Sequence, residues 1–337
     1  MTQQMEQTET KSYTGDHLLD VKDLSVYFFT RRGVARAVDG VSFHLDEGES
    51  LGIVGESGSG KSVTALGMLR LVPPPGEIVK GEVYLEGEDL TKLSGRQMRK
   101  IRGRKMSMIL QDPMTSLNPS FAIGNQVAES LSIHQGLRGK TLKNKVVDML
   151  KMVRIPAAEA RVGDFPHQLS GGMRQRSAGA IGISCMPKIL ICDEPTTALD
   201  MTIQAQYLEL LKDVQEETGV AFIFITHDMG IVAKMCDRVN VMYAGRIVES
   251  GPVLDVFRNP SHPYTISLLR CLPRLEAVER LESIDGQPPD PHVFPSGCRF
   301  APRCPKAQAI CHETYPETTV MTGTDHLAAC HFPGDWK

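Results

Sequence analysis

Four segments of the chain are apolar almost without interruption: Leu51 to Val54, Met106 to Leu110, Ile189 to Cys192 and Val220 to Ile225. Short runs of this kind predict strands buried on both faces, the mark of a parallel sheet covered by helices. Residues 19–46 alternate instead. Leu24, Val26 and Phe28 share one face, then Val41, Phe43 and Leu45, with Arg31-Arg32-Gly33 as the turn between them. Gly81 to Leu85, after the break at Pro73-Pro74-Pro75-Gly76, adds a strand to this antiparallel layer. Helical spacing takes over at Val63 to Leu71 and again between residues 120 and 160. There Val127 and Leu131, then Val146, Met149, Leu150 and Val153, predict an insert of two or three helices ending at Asp164-Phe165-Pro166-His167. Ile203, Leu208, Leu210 and Leu211 line a further helix opened by Thr197-Ala198-Leu199-Asp200, and Val239–Tyr243 with Arg246–Glu249 make a hairpin around Ala244-Gly245. The pattern is α/β, with a parallel core sheet, an antiparallel β layer and a helical subdomain at about residues 114–170.

The chemistry gathers at the ends of the apolar strands, where open α/β sheets place their ligands. Leu51–Val54 runs into Gly55-Glu56-Ser57-Gly58-Ser59-Gly60-Lys61-Ser62 and then a helix from Val63, a phosphate-binding P-loop in its strand–loop–helix context. The glycines let backbone N–H groups close around an anion, Lys61 is placed for the β- and γ-phosphates, and the Ser62 hydroxyl for Mg²⁺. Ile189–Cys192 ends in Asp193-Glu194. An acid pair at a strand end is on its own as easily a solvated cap. Beside a P-loop, Asp193 is a Mg²⁺ holder through water and Glu194 a group that polarises an attacking water. Val220–Ile225 ends in Thr226-His227-Asp228, so His227 can reach a γ-phosphate. Gln111, ending the strand from Met106, can ligate Mg²⁺ or orient a water. Phe28, with Tyr27 second, is the aromatic placed to stack on an adenine.

Leu169-Ser170-Gly171-Gly172-Met173 opens another helix and is a second nest of backbone donors. One nucleotide does not need two cradles in one chain. Two chains packed head to tail do, each closing the other's site.

This set, in this order, resembles the nucleotide-binding subunit of ABC transporters over residues 18 to about 250. Met173 stands where that family usually has Gln, at the edge of the signature, leaving Ser170, Gly171 and Gly172 intact. Pro166-His167-Gln168, Gln111 to Pro119 and Asn259-Pro260-Ser261-His262-Pro263-Tyr264-Thr265 are similar to the ATPase subunits of bacterial oligopeptide and dipeptide importers and extend the resemblance to nearly the whole chain. The resemblance implies Glu194 as catalytic base, Gln111 and His227 at the γ-phosphate, Mg²⁺ held through Ser62, Gln111 and Asp193, Ser170–Gly172 completing a partner's ATP site, and Asp200 at the dimer seam. It implies a second ATPase subunit, expected as a heterodimer partner, two membrane permease subunits and an extracellular solute-binding protein. Import of another solute, such as a metal chelate or an oligosaccharide, is the nearest rival. A soluble ABC ATPase of translation or DNA repair is a more distant one, since those join two cassettes or carry a long coiled-coil insert.

Eight cysteines change the picture of the tail. After a Pro/Gly-rich stretch at 285–297, Cys298, Cys304, Cys311 and Cys330 follow with 5, 6 and 18 residues between them. Zinc ligands are usually closer in sequence, whereas an iron–sulfur cluster needs four thiolates without short fixed spacing. A [4Fe–4S] cluster, zinc helped by His331 or His312, and free structural thiols are the three readings. The tail is similar to that of peptide-importer ATPases, some of which carry the cluster there.

Composition adds limits. The chain of 337 residues, 41% hydrophobic and 23% charged, fits a globular protein of two domains or of one with an appendix. The divisions expected are an N-terminal arm at 1–17, a nucleotide-binding domain at 18–255 and an extension at 256–337. A net charge of −3 gives no sign of a nucleic-acid partner, and Arg99–Lys105 reads as a solvated face. No segment approaches the roughly 20 apolar residues of a membrane span, and the polar N-terminus lacks a signal peptide's apolar core. The expected place is the cytoplasmic face of the membrane, held there by the permease.

Overall fold

The computed structural model describes residues 16–111, 116–197, 199–271, 284–321 and 325–334. The N-terminal arm up to residue 15, and Asp112 to Thr115 of the importer-like motif, lie outside the described residues. Two sheets organise the chain. β1 (Leu19–Thr30), β2 (Gly33–Leu45), β4 (Gly76–Leu85) and β5 (Glu88–Asp89) form an antiparallel layer in the order β2-β1-β4-β5. β3 (Ser50–Val54), β6 (Met106–Ile109), β7 (Ile189–Asp193), β8 (Ala221–Thr226), β9 (Arg238–Tyr243), β10 (Arg246–Pro252), β11 (Thr318–Val320) and β12 (Leu327–Ala329) form the second, in the order β11-β12-β10-β9-β3-β8-β7-β6.

The four apolar runs become the parallel strands β6, β7, β8 and β3, with every residue of β3, β7 and β8 buried, and β9 joins β3 in parallel as a fifth. Burial on both faces explains the missing polar alternation. β10 turns back antiparallel on β9, as the hairpin pattern predicts. The tail then adds two antiparallel strands the pattern did not reveal, β12 on β10 and β11 on β12. They are three residues each, and β11 is exposed throughout, so no hydrophobic periodicity marks them. The short strand expected from Gly81 is longer, starting at Gly76. The first helix runs Lys61–Met68 rather than Val63–Leu71, since the chain enters it directly from the P-loop and Arg70 takes a positive φ of 52° just beyond it.

The insert is three helices, Ile123–Gln135, Gly139–Met152 and Ala158–Arg161. Val127, Leu131, Val146, Met149, Leu150 and Val153 are all buried in one cluster with Leu190, Phe222 and Phe224 of the sheet. A second cluster joins the antiparallel layer, the helix after the P-loop and the other face of the parallel strands. A third is shared by β9, β10 and the tail, where Tyr243, Tyr264 and Phe300 meet ring to ring at centroid distances of 4.6, 5.2 and 5.4 Å.

Candidate active site

The P-loop joins β3 to the helix Lys61–Met68 and wraps tightly enough to require glycine at two points. Gly55 has φ 154°, and a Cβ there would stand 2.2 Å from the Met242 carbonyl oxygen; Gly60 has φ 104°, and a Cβ would meet the Ala37 carbonyl oxygen at 2.4 Å. A side chain at either position forces the loop off β2 and β9. Lys61 folds back over the loop, donating to the carbonyls of Gly55 (2.7 Å) and Glu56 (2.9 Å). Burial lowers its pKa, while Glu194, Asp193 and Glu56 pull it up.

The carboxyl ends of β6, β7 and β8 bring the other groups together. Ser62 Oγ donates to Asp193 Oδ1 at 3.0 Å. Burial raises the Asp193 pKa, the Ser62 hydrogen bond and Lys61 oppose the rise, and Glu194 adds to it. A carboxylate pushed this way gains from a cation beside it, which is the chemistry a Mg²⁺ ion on Ser62 and Asp193 supplies. Glu194 has φ 43°, a left-handed conformation costly for a non-glycine residue and typical of functional sites. Its N–H is anchored on the Ile225 carbonyl at 2.8 Å. Its carboxylate accepts from Gln111 Nε2 (2.8 Å) and Thr197 Oγ1 (3.0 Å) and stands 3.2 Å from His227 Nδ1. Gln111, Glu194 and His227, more than a hundred residues apart at the extremes, thus form one polar cluster beside Ser62 and Asp193. His227 is 62% exposed, free to meet a ligand.

The second cradle has the geometry of a helix start. Ser170 caps the helix Gly171–Ile183 by accepting from Met173 N, and nothing lies within 4 Å of a Cβ built on Gly171, so this end faces open space. Asp200 caps the helix Met201–Thr218, accepting from Thr202 N and Ile203 N. Its carboxylate is therefore engaged within its own chain, and Met201 beside it is 80% exposed. Phe28 is partly buried against the apolar cluster of the β layer, close to Gly76 and Val72, and Tyr27 donates to Asp39 at 2.7 Å. Neither lines the cavity at the P-loop, which is bounded by Arg36, Ala37, Glu56 to Ser59 and the tail residues Pro288, Pro289, Pro291 and Phe294.

The four tail cysteines converge. Cys298, Cys304, Cys311 and Cys330 line one cavity with His262, Phe300 and His331. Backbone N–H groups point at three of the sulfurs: those of Phe300 and Ala301 at Cys298, Lys306 at Cys304, and Phe332 at Cys330. Burial raises the thiols of Cys298 and Cys304 and pushes Cys330 up to about 11. Among the described residues, the one trio of metal-type ligand atoms lying mutually within 4.8 Å is His17, His44 and Asp46, so no three of the four thiols lie that close together. His331 Nε2 stands 2.9 Å from the Thr314 carbonyl, and His312 does not line the cavity.

Sequence reasoning missed the groups through which the tail reaches the nucleotide end of the sheet. Arg299 pairs with Asp39 and donates to the Ala244 carbonyl. Arg303 forks onto Glu56 at 2.8 and 3.1 Å, and the Glu56 N–H donates to Tyr264 Oη at 2.8 Å. Burial alone lowers the Arg303 pKa, but Glu56 and Tyr243 outweigh it and the net shift is upward. Tyr264 lies in the importer-like motif; a lone arginine beside Cys304 carries no motif signal.

A P-loop, an acid pair closing the next strand but one, a glutamine and a histidine at the neighbouring strand ends, and a second glycine nest define an ABC-type ATPase. A model of the ABC transporter family matches residues 38–197, and one described as "Oligopeptide/dipeptide transporter, C-terminal region" matches residues 248–311. The chain is 50% identical to the oligopeptide transport ATP-binding protein OppD of Bacillus subtilis, across 92% of this chain and 87% of that one. It is 48% identical to the dipeptide transport ATP-binding protein DppD of Haemophilus influenzae, across 94% and 96%. Among solved structures it is similar to the ATP-binding cassette MJ0796, a dimer in a post-hydrolysis state with ADP and Pi, at TM-score 0.63 and 27% identity over 70% of this chain and 98% of that one. The chain belongs to the ABC transporter family, among the ATP-binding subunits of oligopeptide and dipeptide transporters.

Proposed function

We propose that this ATPase powers the import of peptides, and that the Gln111–Glu194–His227 cluster beside Ser62 and Asp193 is its hydrolytic centre. The contact of Glu194 with both Gln111 and His227 carries this reading. Glu194 is the general base for the attacking water, Gln111 and His227 orient that water and the γ-phosphate, and Lys61 leaves its carbonyl partners for the phosphates. Ser62, Gln111 and Asp193 would hold a Mg²⁺ ion, which would supply neutralisation of the phosphate charge. Residues 55–63 cradle ATP. Ser170, Gly171 and Gly172 close the ATP site of a second ATPase subunit, with Asp200 at the seam. ATP closes the pair, and hydrolysis reopens it and drives two permease subunits that receive peptide from a binding protein. The chain is peripheral at the cytoplasmic face. No described helix is long and apolar enough to cross a membrane, which suits attachment through the permease.

Residues 18–255 are the nucleotide-binding domain, and 256–337 the importer-type extension. Cys298, Cys304, Cys311 and Cys330 hold a [4Fe–4S] cluster that staples the extension. One feature of the cavity favours this group over a single zinc ion. Tetrahedral zinc at about 2.3 Å draws its sulfurs into close mutual contact, whereas these thiols are spread more widely. Backbone N–H donors to sulfur suit metal-bound thiolates of either kind. The raised thiol pKa values of Cys298, Cys304 and Cys330 mean that bound iron, rather than solvent pH, would keep those sulfurs ionised.

The peptide reading is tested by reconstituting the chain with its permease and second ATPase in vesicles. Labelled peptide uptake that needs both ATP and the binding protein is expected. Uptake of metal chelates or oligosaccharides with no peptide uptake contradicts it.

A further inference from the structure

We infer that Arg303 and Tyr264 are positioning residues for ATP binding: from the C-terminal extension they hold the first turn of the P-loop in its phosphate-ready shape. Glu56, the residue after Gly55, is gripped at three points. Its carboxylate takes the Arg303 fork, through Nη1 at 2.8 Å and Nη2 at 3.1 Å. Its N–H is spent on Tyr264 Oη at 2.8 Å, and its carbonyl accepts from Lys61 Nζ at 2.9 Å. The first two grips come from segments more than two hundred residues away.

Both gripping side chains are themselves fixed. The Arg303 side chain is 5% exposed, and its remaining donors go to the carbonyls of Ile284 and Asp285 and to Tyr243 Oη. Every N–H direction of the guanidinium is used, a bidentate geometry that a lysine ammonium cannot reproduce. Tyr264 is fully buried, its ring packed at a tilt against both Tyr243 and Phe300. Neither group touches the site of chemistry.

The pairing matters for an anion because Glu56 stands where a triphosphate arrives. Paired with Arg303, its charge is cancelled and its turn is fixed. Unpaired, it is a carboxylate beside phosphates on a loop free to turn. A P-loop that must be re-ordered by each incoming ATP loses affinity without losing the chemical step. Arg303 also immediately precedes Cys304, so one turn of the tail serves both the cysteine cavity and the P-loop.

The test is a double-mutant cycle on the full chain, read by the Kd for fluorescent ATP and by KM and kcat for ATP. Arg303→Ala raises Kd and KM about tenfold with kcat changed less than about twofold. Glu56→Gln alone raises them less, and the Arg303→Ala/Glu56→Gln pair is no worse than Arg303→Ala and recovers toward Glu56→Gln, since the two act as one unit. Arg303→Lys lies between. Tyr264→Phe, which removes only the acceptor of the Glu56 N–H, raises KM in the same sense and serves should Arg303→Ala fail to fold. Unchanged KM in Arg303→Lys and Tyr264→Phe overturns the inference. So does additivity of the Arg303 and Glu56 effects, the result expected if Arg303 merely staples the tail.

Discussion

Gln111 Nε2 donates to Glu194 Oε2 at 2.8 Å, joining the end of β6 to the end of β7 across 83 residues of sequence. The contact fixes one oxygen of the carboxylate and leaves the other to His227. Removing the amide with Gln111→Ala frees Glu194 to swing. Turnover is expected to fall on the order of tenfold to a hundredfold, the usual cost of a misplaced reacting group. ATP affinity measured without Mg²⁺ should change little, which equilibrium binding beside steady-state ATPase assays will check.

Gly171 opens the second cradle, and a side chain there meets nothing within the chain. Gly171→Asp should therefore leave the thermal midpoint of the isolated subunit and its ATP affinity nearly unchanged. In the paired state it sets a negative charge against the partner's phosphates. ATP-driven pairing, followed by size-exclusion chromatography, is expected to vanish, and hydrolysis with it. Normal pairing would show that this end of the helix does not face a partner's nucleotide.

Asp193 predicts a trade between stability and function. Its carboxyl is pushed up by burial, so its contribution to folding is present below the ordinary carboxylate pKa and lost as pH rises through the raised value. Asp193→Asn keeps a partner for Ser62 Oγ without the charge. Nucleotide-free Asp193→Asn should melt at the same temperature as the parent or higher at neutral pH, by calorimetry. It should also lose Mg²⁺-dependent nucleotide binding.

His262 gives the tail an acid limit. Its Nδ1 accepts the Tyr264 N–H, capping the helix Pro263–Arg270, and burial lowers its pKa to about 4 against the attraction of Glu249. Above its ordinary 6.5 the ring is neutral folded or unfolded. Between there and about 4 the unfolded chain binds a proton that the folded chain does not, so stability falls as pH drops through that window. His262→Asn keeps a capping acceptor without the titration. Its melting temperature should depend less on pH between those limits.

The cysteine cavity predicts brown protein on anaerobic purification, with about four irons per chain and loss of colour on Cys304→Ser. Elemental analysis that finds zinc alone removes the cluster. Because Arg303 shares the Cys304 turn, stripping the iron with a chelator should also raise the KM for ATP in the direction of Arg303→Ala.

The parts of this molecule that sequence reveals are those whose residues report their own surroundings. β3, β7 and β8 are buried on both faces and therefore read as unbroken apolar runs. Gly55 and Gly60 are glycines because Met242 and Ala37 crowd them, and the P-loop pattern records that fact. Asp193, Glu194 and His227 follow from the rule that ligands sit at strand ends. Arg303 was invisible, and Tyr264 stood out only as part of the importer-like motif, because the meaning of both lies in Glu56, far away in sequence. β11 and β12, at three residues each, were too short to leave a period, and β11 is exposed throughout. Phe28 shows the limit of placing one aromatic by position, since its ring packs into the β layer rather than lining the P-loop cavity.

Glu194→Gln tests the hydrolytic centre most directly. The amide keeps the shape and the contact with Gln111 but cannot take a proton from water. Measured together, ATP binding, ATP-driven pairing and phosphate release should show retained binding, a stabilised pair and turnover lower by about a hundredfold or more. Phosphate release at the parent rate would contradict the assignment of Glu194 as the base.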